Sequence, residues 1–125
     1  KKEISGAKHV QPCFVEPMQV AAVRELPDGG AWTYEAKLDG YRCLAAKRAV
    51  DVVLWSRRGK GFTERFSQIA RACEKLPYDT LIDGEVIVID ENGRVKFNAL
   101  QHKRPNGHIQ FYAFDVLIAG EVSFV

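Results

Sequence analysis

The residues with the clearest chemical potential come in four short groups. The first is Lys37-Leu38-Asp39-Gly40-Tyr41-Arg42, where a lysine, an acid and an arginine surround a tight turn. A lysine acts as a nucleophile only after losing its proton, and its ordinary pKa is about 10.4. Burial and neighbouring cations lower that value. Arg42 or a bound metal ion could supply the cation. The same residues would also suit a surface hairpin of mixed charge, because Asp-Gly turns are common.

The second group, Ser56-Arg57-Arg58-Gly59-Lys60, sets three cations around one glycine. Such a loop can cradle phosphate, with arginine favoured for its planar donors, or can simply be a solvated basic turn. The third is Leu81-Ile82-Asp83-Gly84-Glu85-Val86-Ile87-Val88. Period two puts Asp83 and Glu85 on one face of an apolar and therefore central strand, and a central acid needs a partner. That partner is either an ion pair with Arg42 or Arg57, or a ligand sugar or metal. The fourth is Phe111-Tyr112-Ala113-Phe114-Asp115. Its alternation puts Tyr112 and Phe114 on one face, and Phe111 and Asp115 on the other. Such rings are either core or a platform for a purine.

The elements that must hold these groups read as mostly extended. Met18 to Leu26 suits a short helix, ended by Pro27-Asp28-Gly29-Gly30. Trp32 to Ala36 alternates as a strand, and Tyr41 to Lys47 and Val50 to Trp55 continue a meander. Thr63 suits the N-cap of a helix running to about Lys75, with Phe66, Ile69, Ala70 and Cys73 on its core face. Thr80 to Asp90 and Gln110 to Ile118 are strands. Asn92-Gly93 is a hairpin turn returning through Arg94 to Phe97, and Asn98 with Gln101 suits the start of a short helix. The fold class is α+β, a mostly antiparallel sheet with few helices.

Composition sets the outer limits. The 125 residues are 46% hydrophobic and 27% charged, which suits one folded unit and excludes a disordered tail. Lys+Arg of 18 against Asp+Glu of 16 leaves a net charge of +2, so any nucleic-acid contact must come from a local basic patch. The candidate patch is Arg57, Arg58, Lys60, Lys103 and Arg104. Cys13, Cys43 and Cys73 have no metal-site or redox spacing and read as reduced thiols of a cytoplasmic protein. No stretch approaches the roughly 20 apolar residues of a membrane span, and no secretory signal core follows the basic first residues.

Taken in order, the four groups resemble the motifs of the covalent nucleotidyltransferases: ATP-dependent DNA ligases, RNA ligases and mRNA capping enzymes. Lys37 to Arg42 is similar to their K-x-D-G-x-R nucleophile motif, and Ser56-Arg57 to the S-R motif. Asp83-Gly84-Glu85 is similar to the third motif, and Phe114-Asp115 to the aromatic F-D motif. Pro17-Met18, Leu26-Pro27-x-Gly29, Trp32 and Phe97-Asn98-Ala99-Leu100-Gln101 most resemble the ligase module of bacterial multifunctional end-joining ligases.

The resemblance implies the front of an adenylation domain of ATP-grasp-like fold, with an arm over residues 1–16 and a partial domain over 17–125. It implies that Lys37 takes AMP from ATP with Mg2+ or Mn2+, and that AMP then passes to the 5′-phosphate of nicked or broken double-stranded DNA. Asp39 would assist sealing, and Arg42 and Glu85 would contact the ribose. Arg57 would meet a phosphate, Phe114 would stack on adenine with Tyr112 as the fallback, and Glu35 would lie at the adenine edge. No protein metal ligand is assigned. The setting implied is bacterial, cytoplasmic and nucleoid-associated, with end-joining repair proteins as partners. The family's later glutamate and lysine motifs and its OB-fold domain find no match here, so the 125 residues are not expected to seal DNA alone. Two alternatives stand beside this reading. One is a non-catalytic nucleotide- or nucleic-acid-binding module, with RNA ligase or capping-type chemistry less favoured. The other is an unrelated lysine enzyme working through a Schiff base, for which no carbonyl pocket is indicated.

Overall fold

The computed structural model describes residues 11–102, 107–120 and 122–125. The basic first residues, Lys103, Arg104 and Glu121 lie outside the described residues. Strands β1 (Tyr41–Lys47) and β2 (Val52–Ser56) are followed by helix α1 (Ser67–Cys73) and the ten-residue β3 (Thr80–Ile89). A 3-10 helix over Phe97–Gln101 leads into β4 (His108–Ala119) and the two-residue β5 (Val122–Ser123). The sheet runs β2-β1-β3-β4-β5 with every pairing antiparallel, so the mostly antiparallel α+β expectation is met.

β3 is the central strand, as its apolar run predicts, and its residues from Thr80 to Val86 and on to Val88 are almost wholly buried. One sheet face presents Cys43, Ala45, Leu54, Val86 and Val88 to Phe66, Ile69, Ala70 and Cys73 of the α1 region. Burying a side chain such as Phe66 or Ile69 there contributes about 1.5–3 kcal/mol. The other face carries Leu44, Ala46, Leu81 and Ile118 as a second cluster, with Val15 and Trp55 packed against it.

Three local expectations fail, the first two because nothing buries their apolar side chains. Met18 to Leu26 forms no helix, and Met18, Val20, Val23 and Leu26 are all strongly exposed. A helix that short is marginal unless a face is buried. Trp32 to Ala36 forms no strand, because no strand lies beside it and Trp32 and Tyr34 stay exposed. Arg94 to Phe97 pairs only at Val95, opposite Ile89, before turning into the 3-10 helix. The turn ahead of it is as read: Gly93 has φ of 74°, and Asp90 Oδ1 accepts the N–H groups of Asn92 and Arg94 at 2.9 Å.

Thr63 does not cap α1. Its hydroxyl accepts the Leu54 N–H at 2.9 Å and ties the loop to β2, and the helix begins at Ser67 with no side-chain cap. Asn98 likewise is inside the 3-10 helix, whose N-cap is Lys96.

A nucleotide-sized cleft at the ends of three strands

Facing partners in antiparallel strands share a face. Arg42 opposes Glu85, and Glu85 opposes Tyr112 on the next strand, so three of the four sequence groups meet on one side of the sheet. β1 starts just after the Lys37–Gly40 turn, and β2 ends at Ser56 where the basic loop begins. The two neighbouring strands therefore deliver both groups to the same end of the sheet.

An open cleft of about 800 Å³ lies there, and Lys37, Arg42, Arg57, Arg58 and Glu85 all line it. Leu38, Val20 and Phe62 line it as well. The sequence gives no chemical signal for those three apolar side chains, because their place depends on how the loops close.

Arg42 donates to Asp83 twice, Nε to Oδ1 at 2.6 Å and Nη2 to Oδ2 at 2.6 Å. The Asp83 side chain is 4% exposed, so the partner required by a buried acid is Arg42. This bidentate bond is the main cause that holds the Arg42 proton more tightly than usual. The guanidinium carbon stands 4.7 Å from the centre of the Phe114 ring. Phe114 does not line the 800 Å³ cleft. It lines a separate depression of about 520 Å³ with Ile82, Val116 and Phe124, while Arg42, which lines the cleft, stands over its ring.

The strict alternation expected of the fourth group breaks here. Asp83 pairs with Asp115 but Gly84 pairs with Ala113, so Phe114 is the extra residue of a β-bulge. Phe111 packs on the core beside α1, whereas Asp115 lies opposite Asp83 and acts electrostatically on Arg42. The two therefore do not share a face.

Glu85 Oε1 accepts the Gly40 N–H at 3.1 Å, anchoring the turn that follows Lys37 to the central strand. Burial is the main influence on Glu85 and pushes its carboxyl pKa up, while the Gly40 bond and Arg42 oppose that. Gly40 has no room for a side chain, since a Cβ would stand 2.2 Å from the Val86 carbonyl oxygen.

The Lys37 ammonium is exposed and hydrogen-bonded to Asp39. That bond is the first cause of a pKa raised above the ordinary lysine value. The expected lowering by burial and cations is thus not met in this arrangement: Lys37 is open to solvent, and its nearest charged partner is an anion. Glu35 is exposed and lies outside the cleft lining. Among the described residues no group of three or more His, Cys, Asp or Glu could hold a metal ion. No helix among them is long and apolar enough to cross a membrane.

A lysine on a short turn, two arginine-bearing elements and a strand acid lie around one cleft. The ATP dependent DNA ligase domain model matches residues 12–125, and the chain belongs to that family. The multifunctional non-homologous end joining protein LigD of Pseudomonas aeruginosa is 37% identical over 116 residues, covering 90% of this chain and 14% of that protein. DNA ligase C1 of Mycolicibacterium smegmatis is 41% identical over 92 residues, covering 71% of this chain and 26% of that protein. The crystal structure of the Mycobacterium tuberculosis LigD ligase domain superposes with a TM-score of 0.60 at 33% identity, covering 69% of this chain and 29% of that one. A mycobacterial DNA ligase D solved with ATP and MES gives the same values. The chain thus spans a minor part of each relative, and the resemblance drawn from the four motifs is borne out at the level of the family.

Proposed function

We propose that this chain is the front part of an adenylation domain, residues 17–125 preceded by an arm over 1–16, and that Lys37 is its AMP acceptor. The observation that carries the proposal is the convergence of Lys37, Arg42, Arg57 and Glu85 on one cleft. The Lys37 amine, once deprotonated, attacks the α-phosphorus of ATP. The bond to the bridging oxygen breaks and pyrophosphate leaves, which gives a phosphoamide. Arg57, with Arg58 and Lys60 nearby, offsets the charge that develops on the phosphates. Arg42 and Glu85 hold the ribose, Phe114 or Tyr112 stacks on adenine, and Glu35 is assigned to the adenine edge on the motif alone.

Magnesium would enter on the ATP phosphates and would neutralise their charge, with Glu85 the carboxylate that lines the cleft and Asp39 the one beside Lys37. In the longer protein AMP then passes to a DNA 5′-phosphate. The 3′-hydroxyl displaces it, with Asp39 near the reacting ends, in the repair of nicked or broken duplex. That setting is bacterial and cytoplasmic, at the nucleoid, with end-joining repair proteins as its partners.

Calorimetric titration of the chain with ATP and magnesium tests the pocket. Saturable binding that weakens in Arg57→Ala and Glu85→Ala variants supports it. Binding that ignores both changes places the nucleotide elsewhere.

A further inference from the structure

The basic loop after β2 is braced from outside by the segment that precedes the sheet. Pro12 is fully buried, and Val15 packs against the Leu44, Ala46, Leu81 and Ile118 cluster, so this segment is fixed at both ends. Between them the Phe14 ring meets Trp55 edge-on, with centroids 6.2 Å apart and planes at 68°. The same ring covers Gly59: a Cβ there would lie 3.4 Å from two of its carbons.

Gly59 has φ of 76° and sits at the tip of a turn closed by Gly59 N–H to Ser56 O at 2.9 Å and Ser56 N–H to Lys60 O at 2.8 Å. Arg57 and Arg58 are the two residues between those closures. They line the 800 Å³ cleft on one side, and on the other a groove of about 490 Å³ with Phe14, Glu16 and Gln19. The loop is therefore a partition, with the reacting cleft before it and Phe14 behind it. Backbone hydrogen bonds fix the turn's shape, and the Trp55–Gly61 bridge with Phe62 N–H to Leu54 O ties its returning arm to β2, while the Phe14 ring bears on Gly59 from the side away from the cleft.

We propose that Phe14 is a positioning residue: by pressing Gly59 against the end of β2 it sets the direction in which Arg57 and Arg58 enter the cleft. This rests on the cleft being the phosphate-binding site, and it places the control of that site in a residue outside all four motif groups.

The test uses the whole chain with Phe14→Ala, Phe14→Tyr and Arg57→Ala variants, and the Phe14→Ala/Arg57→Ala pair. Trypsin cleavage after Arg57 and Arg58, followed by mass spectrometry, reads the loop without any ligand. Loss of Phe14 is expected to speed it by about two- to tenfold, the range that one aromatic contact supports. Cleavage after Arg71 should change little, and Phe14→Tyr should restore protection. Binding of ATP with magnesium should weaken by a similar factor in Phe14→Ala, and by clearly less when Phe14→Ala is added to Arg57→Ala, since of the two arginines it positions only Arg58 then remains. Equal cleavage in parent and Phe14→Ala overturns the proposal, as does a full additional loss in the double variant. A parent chain that binds no ATP refutes the reading of the cleft as a nucleotide site instead, and the cleavage comparison still decides the role of Phe14.

Discussion

Arg42 closes both arms of its guanidinium on Asp83, and the same guanidinium lies over Phe114. The acid of the third motif, the arginine of the first and the ring of the fourth are therefore one physical unit. A carboxylate on a side chain 4% exposed at the centre of the sheet is tolerated because a fork of two charge-assisted hydrogen bonds meets it. The fork also fixes the arginine over the Phe114 ring.

Removing the cation should cost more than removing the acid. Arg42→Ala leaves the Asp83 carboxylate buried and unpaired, a situation that costs about 3–5 kcal/mol. Asp83→Ala leaves an arginine whose side chain is already 27% exposed and can turn to water. Urea unfolding should rank the variants in that order, with Arg42→Lys between the parent and Arg42→Ala because it keeps charge and loses the fork. Equal losses from the two alanine variants would refute the asymmetry.

Gly84 should be intolerant of any side chain. A Cβ there would stand 2.4 Å from the Tyr112 carbonyl oxygen and 2.5 Å from the Phe111 ring, so strand β4 would have to move. Gly84→Ala should destabilise the fold by at least the roughly 1–3 kcal/mol of ordinary overpacking. Gly93→Ala, with open space around it, should cost only the strain of its positive φ. Thermal unfolding of the two variants side by side checks this, and an equally mild effect at both sites would contradict it.

Asp39 should hold the proton on Lys37. The Lys37 pKa is raised first by its hydrogen bond to Asp39, so Asp39→Asn removes the main cause and the titration midpoint must move down. At a given alkaline pH a larger share of the amine is then neutral and reactive. Labelling of Lys37 by an amine-directed reagent, followed across pH by peptide mass spectrometry, reads that midpoint. An unchanged or higher midpoint in the variant would show that the bond does not govern the amine.

The three thiols should separate by burial. Burial pushes the Cys43 thiol up to about 12 and raises Cys73 as well, whereas Cys13 is exposed. Iodoacetamide at mildly alkaline pH should label Cys13 in the folded chain, and Cys43 and Cys73 only after denaturant is added. Rapid labelling of Cys43 under native conditions would mean that the β1–β3 interface opens.

What the sequence made legible follows from how each signal is encoded. β1, β3, β4 and the core face of α1 carry their own periodicity, and the four motif groups are contiguous, so both could be read along the chain. Phe14 on Gly59, the hydroxyl of Thr63 on β2 and the Phe114 bulge depend on contacts or register between distant residues, which no local pattern encodes. Met18–Leu26 and Trp32–Ala36 carry their patterns, but Met18, Val20, Val23, Leu26, Trp32 and Tyr34 stay exposed, so no burial holds a helix or strand there. Lys37 holds its proton more tightly than an ordinary lysine because Asp39, two residues away, bonds to it, and Glu85 adds to that effect.

The central claim is that Lys37 is the residue that takes AMP. Incubation of the chain with ATP and magnesium, followed by peptide mapping under conditions that preserve phosphoamides, tests it most directly. Acid-labile AMP is expected on the peptide containing Lys37, and none in a Lys37→Ala variant. AMP on another residue, undiminished label in Lys37→Ala, or saturable ATP binding with no label on Lys37 would contradict it, and the last of these would identify a binding module without the transfer step.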